Sequence, residues 1–97
     1  MRNYKKYRSI VINLFQSFLA GKITERELID NLTEIENELK KGRNTSKELW
    51  FRFFKGDTMA TSVLNIYRAL DSPNRESLRE DFQLSIDNPK ELKIYFS

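Results

Sequence analysis

A chain of 97 residues has room for one domain with a modest core, and folding at this size removes roughly 60–70% of the unfolded surface from water. Its composition, 39% apolar and 32% charged with twelve aromatics, is that of a folded globule rather than a disordered segment. There is no cysteine and no histidine, which removes disulfides, thiolate metal sites, the usual general base and the commonest metal ligand.

The first predicted element is a helix from about Tyr4 to Ala20, with Tyr7, Val11, Leu14, Phe15, Phe18 and Leu19 repeating at helical spacing. Basic residues precede apolar ones here, as in a secretory signal. Asn13, Gln16 and Ser17 interrupt the apolar stretch, however, and the helical period runs on through it. No run in the chain is long enough to span a bilayer, so the sequence reads as cytoplasmic. Gly21 suits a left-handed residue just after the helix.

A second helix follows, from Thr24 to about Lys41. Thr24 and Glu27 have the spacing of a capping box, and Ile23 and Leu28 that of a hydrophobic staple. Leu28, Leu32, Ile35 and Leu39 form an apolar seam. Glu27, Asp30, Glu34 and Glu38 fall in a narrow arc beside it. The short turn between the helices predicts antiparallel packing.

Thr45-Ser46-Lys47-Glu48 has the form of a second capping box, opening a short helix from Ser46 to about Lys55 that ends at Gly56. Asp57 or Thr58 would cap a fourth helix burying Met59, Val63, Ile66, Tyr67 and Leu70. Ser72-Pro73 would begin a fifth, with Leu78, Phe82 and Ile86 inward, stopping at Asn88-Pro89. The tail ELKIYFS alternates too briefly to choose between an extended strand and a frayed turn. No repeat, linker or low-complexity tract is present. The expected fold is a single all-α domain over residues 1–97, a compact bundle of four or five short helices with an antiparallel hairpin in its N-terminal half.

The net charge of +3 conceals blocks of opposite sign. Residues 1–22 carry five basic groups and no acid, residues 23–39 six acids and one arginine, and residues 40–55 six basic groups and one acid. This pattern points to separate faces of opposite charge. The pairs Asp30–Glu34 and Glu34–Glu38 repel at i,i+4 spacing, and Arg26 lies on a different face of the helix. Either basic groups such as Lys5, Lys6, Arg8 or Arg43 neutralise the stripe within the fold, or it docks a positively charged partner.

The aromatics Trp50, Phe51, Phe53 and Phe54 cannot all be buried by one helix face, because consecutive residues are turned by about 100°. Either neighbours wrap the short helix on most sides, or Trp50 or Phe51 is an exposed anchor for a partner. Arg2, Lys5, Lys6 and Arg8, interleaved with Tyr4 and Tyr7, are compatible with nucleic-acid contact or with a solvated first turn. Catalytic readings find little support. Carboxylates on an exposed helix have no desolvated pocket to raise a pKa, a Glu-x-x-His metal site needs histidine, and the three glycines form no phosphate-binding loop.

The hairpin resembles the small helical immunity proteins that protect bacteria from their own nuclease toxins, in particular the colicin D immunity type and those accompanying contact-dependent growth inhibition toxins. Phe18, Leu19, Gly21, Lys22, Ile23, Thr24, Glu27 and Leu28 carry the likeness, which covers about residues 10–40. The resemblance implies an all-helical, non-enzymatic protein that needs no cofactor or metal and blocks the active site of a cognate toxin, often a tRNA-cleaving nuclease with a basic cleft. It maps the partner-binding role onto Glu27, Asp30, Glu34 and Glu38, to which the residue-level reading adds Trp50 and Phe51. The alternative is a small nucleic-acid-binding or regulatory protein that uses basic residues near the N-terminus and in residues 40–55.

Overall fold

The computed structural model describes residues 4–41, 46–57 and 59–97. Its order is α1 (Tyr4–Leu19), α2 (Glu25–Lys40), β1 (Leu49–Arg52), β2 (Thr61–Ser62), α3 (Val63–Leu70), α4 (Arg75–Asp87), a 3-10 turn (Pro89–Glu91) and β3 (Lys93–Phe96). The protein is therefore helix-dominated but not all-α. Four helices pack with one small antiparallel sheet, ordered β2-β1-β3.

The N-terminal hairpin forms as its local signals dictate. Gly21 takes φ +75°, where a side chain would be strained. Across the capping box, the Thr24 backbone N–H donates to Glu27 Oε1 at 3.0 Å, and the Glu27 N–H donates to Thr24 Oγ1 at 3.1 Å. Leu28, Leu32 and Ile35 are buried, and α1 packs against both α2 and α4.

The segment expected to be a third helix is a strand. Residues 49–53 alternate between buried and half-buried, so Leu49, Phe51 and Phe53 enter the core while Trp50 and Arg52 turn outward. Extended geometry thus solves the burial problem that a helix could not, and aromatics favour a pleated, half-buried surface. The partner strand is the C-terminal tail: Leu49, Trp50, Phe51 and Arg52 lie opposite Phe96, Tyr95, Ile94 and Lys93. Thr45 lies outside the described residues, and with it the capping box expected there.

Two further helix starts differ from expectation. Asp57 caps no helix; its Oδ1 accepts from the Met59 N–H at 2.8 Å in a local turn, and Thr58 lies outside the described residues. The helix begins five residues later, where Ser62 Oγ accepts from the Asn65 N–H. Met59 is consequently 71% exposed and Tyr67 57% exposed, whereas Val63, Ile66 and Leu70 are buried as expected. Ser72 closes the end of α3 by donating from Oγ to the Ala69 carbonyl at 2.9 Å, and α4 starts after Asn74.

The buried apolar side chains form one cluster, centred on phenylalanines. Phe15 from α1 stacks on Phe82 from α4, with ring centroids 4.1 Å apart and planes 12° from parallel. Phe53 and Phe18 meet Phe82 edge-on, and Phe51 meets Phe15 in the same way. Ser85, fully buried beside them, donates to the Phe82 carbonyl at 2.8 Å, so its hydroxyl is satisfied. Among the described residues, no helix is long and apolar enough to cross a membrane.

Candidate functional site

The four acids of the expected stripe, Glu27, Asp30, Glu34 and Glu38, are all exposed, but the fold sets three of them in two different grooves. Asp30 lines a cleft between α2 and α3 with Glu25, Ile29, Tyr67, Leu70 and Asp71. Glu34 and Glu38 line a shallower groove beside α1, with Tyr7, Ile10, Leu14 and Ile35. Glu27 is occupied in the capping box. Its charge still faces water, but its position is set by the helix start.

Arg26 is not remote from the stripe. Its Nε lies 3.9 Å from Asp30 Oδ2, because residues four apart on a helix differ by only about 40° in azimuth. Both side chains are largely exposed, so the pair is screened and adds little stability. Arg8 lines a separate cleft with Arg52, Lys55, Lys90 and Lys93. Arg43 lies outside the described residues.

The two aromatic anchors fare differently. Phe51 is completely buried at the centre of the core and offers no surface to a partner. This corrects the expectation for it: as the inward residue of a central strand, Phe51 is a packing element. Trp50 is half-buried on the outer face of the sheet, opposite Tyr95, and its buried Nε1–H meets no acceptor among the described residues.

A patch absent from the sequence-based expectation lies along the α2–α3 seam. Leu64 is 45% exposed and shares its helix face with Tyr67, three residues on. Both lie next to Ile29 of α2, in clefts of about 370 and 280 Å³. Around this apolar centre stand Glu25, Asp30 and Asp71, with the cation Arg26 among them, on one side and Glu36 and Glu48 on the other. The i,i+3 pairing of Leu64 and Tyr67 was legible in the sequence. Their place beside α2 was not, because it depends on how α3 returns across the bundle.

Glu36 has a structural duty as well. Its Oε2 accepts from the Leu49 N–H at 2.8 Å and lies 4.0 Å from Lys40 Nζ. Among the described residues, no group of three or more acidic side chains is placed to hold a metal ion.

The exposed Leu64 and Tyr67 of α3, bordered by carboxylates and by Arg26, form an apolar centre with a charged rim. Aromatics supply buried area at the centre, while surrounding charge selects a partner of opposite sign. No protein family, curated protein or solved structure matches the chain.

Proposed function

We propose that the protein is an immunity-type inhibitor, acting in the cytoplasm by stoichiometric binding to a basic nuclease toxin domain and performing no catalysis itself. The observation that carries this reading is the α2–α3 face, where Ile29, Leu64 and Tyr67 form an apolar centre within a rim of five carboxylates and one cation, Arg26, a net negative surface. The likeness of the α1–α2 hairpin to helical immunity proteins supplies the class of partner. A nuclease that cleaves tRNA needs a cationic substrate cleft, and an acidic surface competes for such a cleft.

In this reading Asp30, with Glu25 and Asp71, meets cations of the toxin, and Tyr67 is the central anchor. Glu34 and Glu38 extend the negative field along α2, raising the association rate more than the affinity. Trp50, on the outer sheet face, lies outside the docking surface.

The test is to seek an open reading frame for a basic toxin domain immediately upstream of this gene, to co-express that domain with the protein, and to titrate the purified pair calorimetrically. Tyr67→Ala should weaken binding by about 2 kcal/mol or more, as expected of a central aromatic anchor. Asp30→Lys combined with Glu34→Lys should abolish protection while leaving the melting transition in place. Protection by the charge-reversed protein at wild-type expression would refute the docking role of the acidic helix.

A further inference from the structure

The fold assembles a second charged surface, and it shares no lining residue with the acidic clefts. Arg8 of α1, Arg52 of β1, Lys55 of the following turn, Lys90 of the 3-10 turn and Lys93 of β3 converge on a cleft of about 440 Å³, with Tyr95 in its wall. One carboxylate, that of Glu91, accompanies them. The local excess of positive charge therefore exceeds the +3 of the whole chain. Without this cleft the protein would be acidic.

The arrangement opposes the protein's own stability. Arg52 and Lys93 are direct partners across the β1–β3 pair, a position where like charges destabilise a sheet. Arg52 Nε is buried and meets no acceptor among the described residues, as Glu91 Oε2 in the same cleft meets no donor among them, so a strong donor is desolvated there without a bond to any described residue. Lys55, Lys90 and Lys93 are exposed, and none needs to be basic for packing. A concave set of cations drawn from five segments is compensated when an anion with several spaced charges occupies it.

The aromatic side chains narrow the class of anion. Alternation on the sheet puts Trp50, Arg52, Lys93 and Tyr95 on one outward face, with Trp50 opposite Tyr95 and Arg52 opposite Lys93. Lys93 Nζ lies 5.3 Å from the Tyr95 ring centroid, so ring and ammonium are presented together. Cations that track a phosphate backbone beside a ring that stacks bases are the elements of single-strand recognition. We propose that this outer sheet face binds single-stranded nucleic acid, the phosphodiester backbone lying along Arg8, Arg52, Lys55, Lys90 and Lys93 and a base stacking on Tyr95. The site is independent of the docking face on α2 and α3.

Fluorescence anisotropy with a labelled oligouridine of about 12 nucleotides, a length within the usual range for small single-strand binders, tests the assignment. Binding should weaken steeply with salt, at a log–log slope of about −2 to −3 for three or four phosphate contacts. Lys55→Gln, Lys90→Gln and Lys93→Gln together replace exposed side chains; they should reduce the slope by about 2 and leave the melting transition unchanged. Tyr95→Leu should cost about tenfold in affinity at constant slope, and Tyr95→Phe should restore it. Absence of binding at low salt, or an affinity unaffected by the triple substitution, would overturn the proposal. Binding to heparin or anionic vesicles that equals oligouridine binding, with Tyr95→Leu without effect, would reduce the face to a non-selective cationic surface and overturn it as well.

Discussion

Glu36 on α2 accepts a 2.8 Å hydrogen bond from the backbone N–H of Leu49, the first residue of the central strand. This single carboxylate ties the N-terminal hairpin to the sheet across a gap of thirteen residues. The bond is charge-assisted and partly buried, which makes it stronger than a typical surface contact. Glu36→Ala should therefore lower the unfolding free energy by about 2 kcal/mol, with Glu36→Gln retaining an acceptor and losing about 1 kcal/mol or less. Urea denaturation of the two variants checks the difference.

The stacked pair Phe15 and Phe82 joins α1 to α4 at the centre of the core, and both residues are completely buried. Phe82→Ala should cost about 3–5 kcal/mol through lost burial and the cavity left among Phe15, Phe18 and Phe53. Met59→Ala, at the most exposed of the large apolar residues among those described, should change stability by less than about 0.5 kcal/mol. Equal losses in the two variants would contradict the core described above.

Asp81 on α4 provides a pH-dependent test. Burial, and then the negative charges of Asp57 and Glu80, raise its pKa above the ordinary value of 3.8. The folded state thus holds the proton more tightly than the unfolded chain, and stability falls as pH rises from about 3.8 through the raised value. Asp81→Asn should be more stable than the parent protein at neutral pH. The advantage should vanish below about pH 3.8, where the carboxyl is protonated in both states. Denaturation midpoints measured for both proteins between pH 3 and 8 test the sign.

Glu27 separates local structure from partner contact. Thr24→Ala removes the side-chain acceptor for the Glu27 N–H and should cost about 1 kcal/mol. Glu27→Gln keeps an oxygen for the Thr24 N–H and loses only the favourable charge at the helix N-terminus, a few tenths of a kcal/mol. Thermal melts that rank Glu27→Gln below Thr24→Ala would refute this division of roles.

The hairpin was legible because its signals are short-range. Gly21, the Thr24–Glu27 box and the Leu28–Leu32–Ile35 seam act within a few residues of one another, and each stands where its spacing predicts. The WFRFF segment does not announce its strand in the sequence, because its alternation covers only a few residues and a strand has no stability until it finds a partner. That partner, KIYF, lies about forty residues downstream. Phe51 shows the consequence: a helix leaves its exposure open, whereas the central strand points it inward and excludes exposure.

The candidate surfaces divide along the same line. That α2 carries a row of carboxylates followed from its 3.6-residue period alone, since every member lies on one helix. That Asp30 joins Ile29 and Tyr67, while Glu34 and Glu38 face α1, required the packing of three helices. The basic cleft required still more, because its cations come from positions 8, 52, 55, 90 and 93 and share no periodicity. Helix caps, turns and charge along a helix are encoded locally and can be read from the order of residues. Strand partners, and faces composed from several elements, exist only after burial of the common core has brought distant segments together.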